Sequence, residues 1–133
     1  MSEQLVNLIK KSAGNGGNFP IGENMMLKYC GAAASGAPSI ESYSLNTNLL
    51  DGFAYSYVGA IVIINCVGHT TADITTGGSY DEVFGFSEDG TATKITRSNN
   101  HVFTDYDISP FDYIVYYWQA TTTENPRQFV ITN

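Results

Sequence analysis

Charge is what this chain lacks most. Only 14% of its 133 residues are Asp, Glu, Lys or Arg, against roughly a quarter in an ordinary soluble domain. Long solvent-facing helices depend on such residues along their outer face, so the composition disfavours a helical architecture and favours β-structure with neutral polar surfaces. Positive charge is scarcest: six Lys and Arg stand against thirteen Asp and Glu, for a formal net charge of −7. Nucleic-acid binding needs a basic footprint, and the only adjacent basic pair is Lys10-Lys11. Nucleic acid is therefore not expected as a partner. An anionic membrane surface is not expected for the same reason.

Other absences narrow the field further. No run of about 18 apolar residues occurs, so no membrane-spanning helix is expected. Met1-Ser2-Glu3-Gln4 opens no basic region followed by an apolar one, so no secretory signal is read. The two cysteines, Cys30 and Cys66, are too few for a disulfide framework and too far apart for a C-x-x-C motif. The favoured reading is two small buried hydrophobes, with a bridge between them the alternative. Neither His69 nor His101 sits in a G-x-S-x-G elbow, an H-E-x-x-H helix or a pair at ligand spacing, and a lone His near a strand end is more often an ordinary surface residue. No metal and no cofactor are expected.

What is present centres on the run Gly59-Ala60-Ile61-Val62-Ile63-Ile64-Asn65-Cys66-Val67-Gly68. Its β-branched residues lose rotamer freedom in a helix and sit well on a pleated sheet. Ile61, Ile63 and Val67 point one way, and Val62, Ile64 and Cys66 the other, so both faces are apolar and the strand is central. At roughly 1.5–3 kcal/mol per buried aliphatic side chain, this run supplies on the order of 10 kcal/mol before entropy.

Residues 2–12 form the one expected helix, with Leu5, Leu8 and Ile9 at i, i+3, i+4 spacing. Ser2 is placed to cap it, and Glu3 and Lys10-Lys11 complement its dipole. A helix this short is marginal alone and must dock on something. Ala13-Gly14-Asn15-Gly16-Gly17-Asn18 ends it as a hinge. The expected organisation is therefore a helix and glycine-rich hinge over 1–18 and a β-domain over 19–133.

Short alternating runs follow at 24–30, 40–45, 53–58, 80–86, 91–96, 101–106, 111–119 and 128–132. Asp89-Gly90 marks the clearest hairpin turn, and the Thr- and Gly-rich stretch 70–79 reads as a long excursion. Eight or nine short strands without a fixed period predict an all-β fold, an antiparallel β-sandwich or jelly-roll-like domain preceded by one short helix.

Two groups of residues invite chemistry. Acidic residues gather at Asp81-Glu82 with Glu88-Asp89 and at Asp105, Asp107 and Asp112. Paired carboxylates serve glycoside hydrolysis or calcium binding, but solvated loop carboxylates are the simpler reading. The aromatics are more suggestive. Tyr113, Tyr116, Tyr117 and Trp118 share one strand, and Tyr55 and Tyr57 another. Tyr116 and Tyr117 must face opposite sides, so some rings line a second face. Tyr and Trp suit a surface that is apolar yet hydrogen-bonding. Trp118, Tyr116, Tyr113, Tyr55 and Tyr57 are thus the candidate ligand- or partner-binding residues, and Leu5, Leu8 and Ile9 the docking stripe.

A terminal helix, a glycine hinge and a compact low-charge β-domain rich in Thr, Asn, Gly and Tyr resemble bacteriophage virion accessory proteins: head-decoration or head-fibre proteins, and tail-fibre or baseplate receptor-binding modules. The resemblance is one of architecture and composition over the whole chain. It implies a non-enzymatic structural or adhesion module on the virion, a homo-oligomer with a trimer favoured, and attachment to other virion or surface proteins through the N-terminal segment. The alternatives are a carbohydrate-binding module, extracellular or at a cell surface, stacking host glycan on Trp118 and the tyrosines, and a small hydrolase using carboxylates between Asp81 and Asp112.

Overall fold

The computed structural model describes residues 21–30, 39–51, 60–77, 81–95, 102–118 and 127–133. The expected N-terminal helix, the hinge, the boundary at residue 18 and the run carrying Tyr55 and Tyr57 lie outside these residues. Nine strands are described: β1 (Met25–Cys30), β2 (Ser39–Ser42), β3 (Ala60–Asn65), β4 (Thr71–Thr75), β5 (Asp81–Phe86), β6 (Ala92–Lys94), β7 (Val102–Asp107), β8 (Tyr113–Trp118) and β9 (Gln128–Ile131). They form two antiparallel sheets, six strands in the order β2-β1-β3-β8-β5-β6 and three in the order β7-β4-β9. The described residues are all-β and sandwich-like.

The β-branched run becomes β3, flanked by β1 and β8 in the middle of the larger sheet. Its register against β8 pairs Val62 with Tyr116, Ile63 with Val115 and Ile64 with Ile114. Alternation then sorts the side chains into two layers. Val62, Ile64, Val83, Ile114, Tyr116 and Trp118 join Ala72 and Ile74 of β4 and Phe129 and Ile131 of β9 in the core between the sheets. On the opposite, outer face of the six-stranded sheet, Leu27, Ile63, Phe84, Phe86, Tyr113 and Val115 form a second buried cluster with Ile21.

Two local expectations are corrected. The stretch 70–79 holds β4, the middle strand of the smaller sheet, rather than a loop excursion. Its alternation is carried by Ala72 and Ile74, both fully buried between the half-buried Thr71, Asp73 and Thr75. A small residue fills an inward position here, so apolarity understates it. Phe111, expected on one face with Tyr113 and Val115, instead precedes β8 in a turn closed by Phe111 N–H donating to the Ile108 carbonyl, 3.0 Å. Its ring packs in the core between the sheets and lies against Gly85, where a Cβ would come within 2.5 Å of it.

The hairpin at Asp89-Gly90 forms as expected. Ser87 N–H donates to the Thr91 carbonyl (3.0 Å), Gly90 takes a φ of 85°, and Asp89 Oδ1 accepts from Thr91 N–H. β7 carries a bulge: Thr104 and Asp105 together face Asp73, because the register runs from Ala72↔Tyr106 to Ile74↔Phe103. Asp105 adopts a φ of 52°, and its N–H donates to Asp73 Oδ1 at 2.9 Å.

Candidate functional site

The described chain concentrates its buried chemistry at one end of the body. Asp81 opens β5 in an inward register position, in line with Val83 and Gly85. A carboxylate there must find partners or lose solvation at a cost of several kcal/mol. Arg127, just ahead of β9, supplies a two-pronged contact: Nε to Oδ2 at 2.9 Å and Nη2 to Oδ1 at 3.0 Å. The Tyr116 hydroxyl donates to Oδ2 at 2.7 Å and lies 3.1 Å from the Thr75 carbonyl. Gly77 N–H donates to the same carboxylate oxygen at 2.6 Å. The guanidinium carbon stands 4.6 Å from the centre of the Trp118 ring, a cation–π geometry, and Trp118 meets Tyr116 edge to face at 5.6 Å.

The cluster is closed to water, with side-chain exposures of 1% for Asp81 and 8% for Arg127. Four donors converge on one carboxylate, two of them from a guanidinium, and engage its lone pairs. Burial, then the adjacent Asp81 charge and hydrogen bond, raise the Tyr116 hydroxyl well above the usual phenol range. The Tyr116 hydroxyl is thus not poised to release a proton near neutrality. What the arrangement does is mechanical. Asp81 and Tyr116 belong to the six-stranded sheet, whereas Arg127, Gly77 and Thr75 adjoin strands of the smaller one, so the cluster bolts the two together.

The opposite end is tied by neutral groups. Asn65 Nδ2 donates to the Ile21 carbonyl (3.2 Å) and Asn65 Oδ1 accepts from Val67 N–H (3.1 Å). The Tyr43 hydroxyl donates to the Asn65 carbonyl at 2.5 Å. The Cys66 thiol donates to the Phe111 carbonyl at 3.3 Å. Cys66 is free and buried, so the bridged alternative does not hold. Burial, followed by the nearby Asp112 charge, pushes its thiol up to about 12, which makes it a packing residue rather than a nucleophile. His69 Nε2 sits 2.7 Å from Asn24 Oδ1, with its ring 6.1 Å from that of Tyr43.

The residues singled out from sequence fall as follows. Trp118, Tyr116 and Tyr113 are 2%, 0% and 7% exposed. Trp118 and Tyr116 belong to the core between the sheets and Tyr113 to the outer-face cluster. Tyr55 and Tyr57, and Leu5, Leu8 and Ile9, lie outside the described residues, as does His101. The acidic groups do not converge. Asp81 and the Glu88-Asp89 turn sit at opposite ends of β5. Asp107 accepts from both the backbone N–H and the hydroxyl of Ser109, which lowers its carboxyl below the usual range. Among the described residues no group of three His, Cys, Asp or Glu is arranged to hold a metal ion.

Arg127 escaped the sequence reading. The available signal was the inward position of Asp81 in an otherwise apolar alternation: a carboxylate there calls for a cation, and the chain offers only six. No family model, curated protein or solved structure matches the chain.

Proposed function

We propose that this protein is a non-enzymatic structural or adhesion module, a phage virion accessory of the decoration or fibre type that acts by self-assembly and attaches through its N-terminal segment. The observation that carries the reading is the use made of the ionisable groups best placed for chemistry. Asp81 is saturated by Arg127, Tyr116 and Gly77, Asp107 is engaged by Ser109, and the Cys66 thiol is held protonated. These groups hold the chain's shape. Burial of Trp118 and Tyr116 weighs against a sugar platform built on those two rings. The finer jelly-roll reading of the body draws support from connections that change sheet at β3–β4, β4–β5, β6–β7, β7–β8 and β8–β9.

The test is light scattering of the purified chain with and without residues 2–12. The reading expects a homo-oligomer, a trimer first, on the virion, and loss of assembly or attachment on deletion. A monomer indifferent to the deletion removes it.

A further inference from the structure

The Asp89-Gly90 step of the β5–β6 hairpin is a reactive pair as well as a turn. A glycine nitrogen has no side chain beside it, so it can approach the side-chain carboxyl carbon of the residue before it. Asp89 is exposed and Gly90 half-buried, so water reaches both. The hairpin holds the two reacting groups on other partners. Gly90 N–H donates to the Ser87 carbonyl at 2.8 Å, and Asp89 Oδ1 accepts from Thr91 N–H at 2.9 Å. Ser87 N–H closes the turn on the Thr91 carbonyl at 3.0 Å.

We propose that Asp89-Gly90 is a self-modification site, at which opening of the β5–β6 hairpin sets the rate of isoaspartate formation. The Gly90 nitrogen attacks Cγ of Asp89. The N–Cγ bond forms, the nitrogen gives up its proton, one carboxyl oxygen leaves as water, and a five-membered succinimide closes. Water then adds at the main-chain carbonyl of Asp89. The bond from that carbon to the Gly90 nitrogen breaks, and the main chain now runs through Asp89 Cγ. One water leaves and one enters, so the step needs no oxidant, reductant or second protein.

Each stage works against the turn. Ring closure consumes the Gly90 N–H that the Ser87 carbonyl accepts and the carboxylate that Thr91 N–H reaches. Opening to isoaspartate adds a methylene to the path between Ser87 and Thr91, which spoils the bond that closes the turn. The folded turn therefore slows the reaction, and the product loosens the turn. What it loosens is β6, whose residues are all exposed and which pairs Ala92, Thr93 and Lys94 with Phe86, Gly85 and Phe84. Ile95 anchors the other end: it is buried in the core, with its N–H on the Val83 carbonyl at 2.8 Å. The modification thus frees β6 from the turn inward, and the Phe86 main chain is the first to lose its partner. The chemistry stands whether or not the chain assembles on a virion.

The test ages the full chain in water labelled with heavy oxygen, folded and in concentrated urea. Mass spectrometry of the Asp89-containing peptide, with fragmentation that tells isoaspartate from aspartate, resolves this site from Asp51-Gly52 and Asn15-Gly16. Labelled isoaspartate is expected at position 89, formed at least about tenfold more slowly in the folded chain than in urea because the turn must first open. Ile95→Ala, which removes the anchor of β6, is expected to bring the folded rate toward the urea rate. Asp89→Glu, whose longer side chain would have to close a six-membered ring, is expected to form no isomer. Absence of isoaspartate from the folded chain overturns the site. A folded rate equal to the urea rate, or one that Ile95→Ala leaves unmoved, overturns the gating. Amide exchange of the aged chain gives a second reading: faster exchange is expected over 87–94 with β3 and β8 unchanged, and unaltered exchange over 87–94 overturns the effect on β6.

Discussion

At one end of the body Asp81 and Arg127 join the sheets with a buried ion pair; at the other Asn65, Tyr43 and Cys66 hold the chain with neutral groups. The two ends should fail differently. Removing one ion strands the other in an apolar setting, so the charged end is all-or-none. Removing one neutral group forfeits a single bond, so the other end weakens in steps.

The largest expected effect comes from Arg127→Ala. It leaves the Asp81 carboxylate buried without its cation and should cost about 3–5 kcal/mol, read as a lower urea midpoint. A volume-matched apolar replacement of both partners, Asp81→Leu/Arg127→Met, should recover most of that loss. A double variant as weak as the single one would show that the ions contribute more than their removal penalty.

Next is Gly85→Ala at the neutral end, where the new Cβ meets the Phe111 ring. Overpacking of this kind costs roughly 1–3 kcal/mol, and trimming the ring with Phe111→Leu in the same chain should return part of it. Smaller still is Tyr43→Phe, which deletes the hydroxyl bond to the Asn65 carbonyl. About 1 kcal/mol is expected, with faster amide exchange confined to the Asn65 end if the two ends are independent.

Alkali loads both ends, since Tyr116 at the charged end is raised too. The Cys66 thiol is raised from 9.0 to about 12 in the folded protein, and Tyr43 and Tyr113 are raised as well, chiefly by burial. The folded state therefore keeps protons that the unfolded chain releases. Stability from Cys66 is complete below pH 9 and falls as pH rises toward 12, by up to about 1.4 kcal/mol per pH unit. Denaturation midpoints measured from pH 8 to 11 should decline, and Cys66→Ala should make the decline shallower.

Much of the fold could be read from residues alone, for identifiable reasons. β3 and β8 announce themselves because both their faces are buried and both are therefore apolar. The Ser87–Gly90 turn does so through Asp-Gly. β4 was hidden because a central strand in a small sheet met its packing needs with Ala72 and Ile74 among threonines. Phe111 departs from its expected face because the turn from Ile108 to Phe111 interrupts strand alternation ahead of β8. The Asp81–Arg127 pair could not be matched in sequence: its members are 46 positions apart, and only the folding of one sheet onto the other brings them together. Trp118 and Tyr116 read as surface candidates because their strand offers rings on both sides, and nothing local says which side a second sheet will occupy.

The bulge at Thr104-Asp105 bears on life at high concentration. β7 stands at the margin of its sheet among the described residues, where a regular strand would template a neighbour's backbone. Here the spacing of the ladder is broken, the chain turns at Asp105, and two carboxylates line the approach. Among the described residues, this margin is thus poorly shaped for strand-on-strand growth.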